Sequence, residues 1–218
     1  MKALVLDFGG PVLLTPFERV AALERSLRVA PGTFAWRGPF DPAADPLWRA
    51  VQAGQLTEPG YWTARAEEVA AVTGEPGVPA MMGRLFDGPE ADLVRPEARR
   101  LVAAARRRGL ETAVLTNDLH DFHDQAWIDR MGILAEVGHV VDAARHGTRK
   151  PDPAAYRLVL DRLGVAPDQV VMVDDQPANA AGAEAAGMRA VWFDVTRPAA
   201  SYREVRHALG LADDGGTP

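Results

Sequence analysis

The sequence has no cysteine, which excludes a disulfide-held scaffold, a thiolate zinc site and a cysteine nucleophile. It has no apolar run near the roughly 18 residues that a membrane-spanning helix requires, so no membrane partner is expected. The first apolar run is interrupted at Asp7. That is too short and too early in charge for a secretory leader, and a cytoplasmic protein is the default expectation. Positive charge is not in excess either, with 24 Lys and Arg against 30 Asp and Glu and a net charge of -6. Broad contact with a phosphate backbone needs a basic face, so nucleic acid is not an expected partner. Acidity of this size still permits a small phosphorylated ligand, provided that the site brings its own cation.

The chain has 218 residues, 47% of them apolar and 25% charged. This suffices for one good core, or for one core and a small inserted subdomain. Five short apolar runs read as buried strands: 3–8, 112–115, 137–141, 170–173 and 189–193. Helical stretches precede the later four, and Gly109 and Gly187 stop two of them. Continuous apolar strands alternating with helices indicate an α/β fold with a doubly wound parallel sheet. Residues 16–95 read differently. Phe17, Val20, Leu23 and Leu27 have helical spacing, a stretch broken by Pro and Gly follows, and further helices are expected over 47–54, 58–73 and 79–86. The division expected is a sheet domain of 1–15 and 96–218 with a helical insert of 16–95. The tail 213–218 is small and polar and reads as disordered.

In open parallel sheets, ligands bind beyond the carboxyl ends of the strands. The residues there are Asp7 with Phe8-Gly9-Gly10, then Thr116-Asn117, and then Asp174-Asp175, with Lys150 just before the helix that starts at Pro153. Carboxylates brought this close repel one another and call for a cation between them. With oxygen ligands alone, Mg2+ is the natural choice. The cation and Lys150 would neutralise a phosphoryl group, and Thr116 with the loop amides would hold its oxygens.

These segments resemble, in order and spacing, the four motifs of haloacid dehalogenase-like (HAD) hydrolases: 7–13, 115–117, 150–153, and 173–188 with Asn179 and Gly187-Met188. The later half of the chain is especially similar to the phosphatase domain of soluble epoxide hydrolases and to a glucose-1-phosphate phosphatase subgroup. The resemblance implies a Rossmann-like core, with the insert as a helical cap. It implies that Asp7 attacks phosphorus and becomes an aspartyl-phosphate. It further implies that Thr116 and the Asn117 backbone hold phosphoryl oxygens, with Gly9 and Gly10 lining the same site, and that Lys150 orients Asp7. The Mg2+ ligands would be Asp7, the Gly9 carbonyl and Asp175. Asp174 would sit behind them near Lys150, and Asn179 would bond a metal-bound water. The partner would be a small phosphorylated metabolite, and the protein a monomer or homodimer.

One position departs from the pattern. Gly9 stands where most family phosphatases have a second aspartate as general acid and base, a group worth roughly 10²- to 10⁴-fold in rate. Another group or a water could take its place, the substrate could carry a good leaving group, or the protein could be a binding module without turnover. A 2-haloacid dehalogenase is the other alternative, because those enzymes also lack the second aspartate; the acidic pair Asp174-Asp175 argues against it. The bland readings of other features hold more weight. The His120 to Asp124 segment reads as the exposed start of a helix rather than a metal site, and Arg106 to Arg108 as a solvated helix end. Trp36, Trp48 and Trp62 read as the small core of the insert.

Overall fold

The structure, a computed structural model, describes residues 1–212; the tail 213–218, expected above to be disordered, lies outside the described residues. In chain order the elements begin with β1 (Ala3–Leu6), α1 (Pro16–Leu27), α2 (Pro46–Gln52), α3 (Glu58–Thr73) and α4 (Val78–Leu85). Next come α5 (Pro96–Arg107), β2 (Glu111–Thr116), α6 (Leu119–Phe122), α7 (Gln125–Arg130), α8 (Gly132–Glu136) and β3 (His139–Asp142). The chain continues through α9 (Pro153–Leu163), β4 (Val170–Asp174), α10 (Pro177–Ala185), β5 (Arg189–Trp192) and α11 (Pro198–Leu209).

Two compact units result: one of 1–14, 89–120 and 124–212, the other of 15–88 and 121–123. The first is a parallel five-stranded sheet in the order β3-β2-β1-β4-β5. Every residue of β1 and β4 is buried, as expected for strands covered on both faces. Ala3, Val5, Ala113, Leu115, Val170 and Met172 point to one face, into a core shared with Ala155, Tyr156, Val159 and Ala183 of α9 and α10. The alternate residues Leu4, Leu6, Val114, Val171 and Val173, also buried, point the other way. That is the side on which α5 and α11 lie against the sheet and against each other.

The restart of the sheet unit expected at Pro96 comes earlier in the structure, because 89–95 is tied to the loop after β1. Leu14 N donates to the Leu93 carbonyl at 2.8 Å, and Arg95 N to that of Val12 at 2.9 Å. Helix α11 escaped the strand-and-helix reading. Its buried Tyr202, Val205 and Leu209 keep helical spacing, but arginine and histidine are interleaved with them.

In the second unit, α1 opens on a reciprocal cap: Thr15 N donates to Glu18 Oε2 at 2.8 Å, and Glu18 N to Thr15 Oγ1 at 3.4 Å. Phe17 meets Trp48 and Trp62 with ring centroids 5.2 and 5.5 Å apart. Trp36, Trp48 and Trp62 are all buried. A polar knot unseen in the sequence lies among them. Asp45 is fully buried and accepts from the amides of Arg37, Gly38 and Trp48, from the Tyr61 hydroxyl at 2.9 Å, and from Arg65 Nη2 at 2.5 Å. Arg65 also binds Glu68 at 2.7 Å and lies over the Tyr61 ring.

Removing one partner of a buried pair leaves the other charge stranded. Asp45→Ala is therefore expected to destabilise the chain by about 3–5 kcal/mol in urea unfolding, with Arg65 left buried and charged. A loss below about 1 kcal/mol would show that the knot contributes little.

Candidate active site

Register brings the site together. Leu6, the last residue of β1, is paired with Val114 on one side and Val173 on the other. One step further along the strands, Asp7 stands between Leu115 and Asp174. The Lys150 ammonium caps all three. It donates to Asp7 Oδ1 at 2.7 Å, to the Leu115 carbonyl at 2.8 Å and to Asp174 Oδ2 at 2.7 Å. Lys150 reaches this point from the segment before α9, where its own backbone is clamped. Its N–H donates to Asn117 Oδ1 at 2.7 Å, and its carbonyl accepts from Asn117 Nδ2 at 3.0 Å.

The loop after β1 is held from the core side. Arg95 Nε donates to the Gly10 carbonyl at 2.6 Å, and the Tyr202 hydroxyl to that of Pro11, also at 2.6 Å. The Arg95 guanidinium lies over the Phe193 ring, 5.7 Å from its centroid. Gly10 has φ of +76°, and a Cβ there would come within 2.8 Å of the Asp175 carboxyl carbon. Only glycine permits both the left-handed turn and this close approach. Gly9 is exposed, and a Cβ there would meet only Asp7 Oδ2, at 3.9 Å.

Asp7, Asp174 and Asp175 each offer an oxygen within 4.8 Å of the others. Asp174 is already engaged at both oxygens, because Oδ1 accepts from Gln176 N at 2.9 Å and from Asn179 Nδ2 at 3.0 Å. Burial pushes the Asp7 carboxyl up to about 7; Lys150 opposes this and Asp174 adds to it. Burial also works against the Lys150 charge, but Asp174 and Asp7 outweigh it and hold the ammonium above its ordinary range.

The structure thus joins Asp7, Lys150 and Asp174 directly, with Asp175 beside them against Gly10. Thr116 is buried at the end of β2. Asn117, expected to meet ligand through its backbone, uses its side chain to hold Lys150. Asn179, expected to bond a metal-bound water, is buried and gives its amide N–H to Asp174. Arg95 and Tyr202 were not read from the sequence; Tyr202 carried a weak signal in its spacing to Val205. In the His120 segment Asp121 and Asp124 are exposed as expected, but the two histidines are engaged. His123 is buried beside the Phe86 ring, and the His120 ring is bonded to the buried Asp142 at 2.7 Å. Arg106 to Arg108 are exposed at the end of α5, as expected.

A carboxyl that ionises at 3.8 ordinarily and near 7 in the folded protein binds its proton more tightly when folded. The stability gained from this group is full below about pH 4 and is lost as the pH rises to about 7. In chelator, urea unfolding of the wild type relative to Asp7→Asn should therefore weaken across that window and level off above it. A difference independent of pH would show that Asp7 ionises normally. Divalent cation should flatten the profile, because a bound positive charge favours the carboxylate.

Residues 1–187 match the haloacid dehalogenase-like hydrolase family. The chain is 34% identical over 161 residues to a phosphoserine phosphatase of Thermus thermophilus, covering 73% of this chain and 57% of that protein. It is 30% identical over 194 residues to a phosphoglycolate phosphatase of Rhodospirillum rubrum, covering 87% and 78%. Among solved structures with this fold, which include L-2-haloacid dehalogenases, a magnesium-bound HAD-hydrolase of Bacillus subtilis superposes with a TM-score of 0.68 at 16% identity, over 96% of this chain and 99% of that one. With the matched span carrying Asp7, Thr116, Lys150 and the Asp174-Asp175 pair on one edge of a parallel sheet, the chain belongs to the haloacid dehalogenase-like hydrolase family.

Proposed function

We propose that this hydrolase is a Mg2+-dependent phosphatase that removes phosphate from a small phosphorylated metabolite through an aspartyl-phosphate on Asp7. The observation that carries the reading is the charge balance at the site. Three carboxylates lie within reach of one another against a single ammonium. That excess of negative charge, partly buried, calls for a divalent cation. The donors are oxygens alone, which suits Mg2+. Because both Asp174 oxygens are engaged, Asp7 and Asp175 are the carboxylates that would hold the ion, with the Gly9 carbonyl completing the set. Bound there, the cation supplies positive charge against the phosphoryl oxygens.

The residues of the chain do the rest. Lys150 fixes one oxygen of Asp7, and the other is left to attack phosphorus. Thr116 at the end of β2 and the amides of the Gly9-Gly10 loop bind the equatorial oxygens. Asp174 keeps Lys150 charged and in place. Displacing halide from a 2-haloacid calls for no cation, whereas the uncompensated carboxylates of this site do, so dehalogenation is the weaker reading. The activity assigned to the two phosphatase relatives points the same way. The reading includes a cytoplasmic monomer or homodimer without a nucleic-acid partner; among the described residues no helix is long and apolar enough to cross a membrane.

Phosphate release from sugar phosphates and p-nitrophenyl phosphate is expected with Mg2+ and is expected to stop in EDTA. Asp7→Asn should lose at least about 10³-fold in kcat while remaining folded by circular dichroism, because it removes the nucleophile itself. Full activity in that variant, or release indifferent to metal, would overturn the proposal.

A further inference from the structure

The phosphatase reading leaves one chemical demand unmet, and the structure shows how. When the phosphorus–oxygen bond to the leaving group breaks, its electron pair goes to the leaving oxygen. That oxygen needs either a proton from a positioned acid or enough intrinsic stability to depart as an anion. Lys150 and Asp174, the side chains bonded together with Asp7, have no proton to give, and Asp175 is the carboxylate assigned to the cation. Lys150 spends its three N–H groups on Asp7, Leu115 and Asp174. Asp174 only accepts, at both oxygens. Hydroxyl and amide groups such as those of Thr116 and Asn117 can hydrogen-bond to a leaving oxygen but are too weakly acidic to protonate it. At Gly9 there is no side chain, and the space is open: among the described residues a Cβ would meet only Asp7 Oδ2, at 3.9 Å. At Gly9 the site has room for an acidic side chain beside its nucleophile.

We infer that Gly9 sets the substrate class, making this a hydrolase of phosphates with weakly basic leaving oxygens, acyl phosphates above all, rather than of primary alkyl phosphates. The inference rests on the phosphatase reading and narrows it. Asp7 attacks phosphorus, and with an acyl phosphate the departing electron pair forms a carboxylate that needs no proton. Water then attacks the phosphorus of the aspartyl-phosphate, the Asp7 carboxylate is released with inorganic phosphate, and the surplus proton of the water passes to solvent. A primary alkyl phosphate would have to expel an alkoxide at the first step, and the barrier rises accordingly.

The test is kcat/KM with Mg2+ across ring-substituted phenyl phosphates of nearly equal shape, from 4-nitrophenyl to unsubstituted phenyl, with acetyl phosphate and a primary alkyl phosphate alongside. The wild type should fall by about 10²-fold or more along the aryl series, the size of an absent general acid. Acetyl phosphate should be favoured over the alkyl phosphate by at least as much. Gly9→Asp should flatten the series about tenfold or more, whereas Gly9→Asn, of the same size and without an acidic proton, should keep the slope. A flat series in the wild type overturns the inference alone, since a proton donor must then be present. Equal flattening by Gly9→Asn also overturns it, by showing that bulk rather than acidity is what Gly9 lacks. Absence of release from every substrate overturns the phosphatase reading as well.

Discussion

The ammonium of Lys150 holds the ends of three neighbouring strands in register at the point where chemistry is proposed. Its three donors meet a carboxylate following β1, a carbonyl in β2 and a carboxylate ending β4. The acceptors converge from three directions, which suits a compact ammonium better than the planar fork of arginine. The chain has only two lysines, Lys2 and Lys150, and uses arginine elsewhere. One of the two is therefore spent where a point charge with three rotatable donors is needed. The reciprocal amide bonds of Asn117 to the Lys150 backbone keep that side chain aimed.

Around this pair the site is held in an electrostatically unfavourable state. One cation faces three carboxylates, and Asp7 is more costly to ionise than an ordinary aspartate because burial outweighs its ion pair. The rigid sheet tolerates this because β1 and β4 are buried throughout and because Arg95 and Tyr202 fix the loop that carries Gly9 and Gly10. Such an arrangement would gain stability from the proposed divalent cation, and folding would then be coupled to the proposed chemistry.

The inserted unit is stabilised by separate means. Its aromatic cluster surrounds a buried ion pair, Asp45 with Arg65, whose carboxylate also satisfies three backbone amides at the start of α2 and before it. The tryptophans were expected in this core, but the ion pair was not legible from the pattern of apolar residues. Asp45 caps α2 through the Trp48 amide, but its charged partner stands twenty residues further on. Helix α11 was missed for a related reason. Its apolar face is narrow, and its contribution to the loop after β1, through Tyr202, spans 191 positions.

By itself the sequence determined the five strands and their order, because continuous apolar runs stopped by glycine and proline leave few alternatives to buried parallel strands. It also determined the chemical inventory: an aspartate after the first strand with a glycine two places on, a threonine and an amide after the second, and an acidic pair after the fourth. The tertiary structure alone decided which of these groups touch. That Asn179 holds Asp174, that Asn117 holds Lys150, and that the space beside Gly9 stays open depend on strand register and loop anchoring. Those are set by contacts between residues far apart in the chain, which no local spacing encodes.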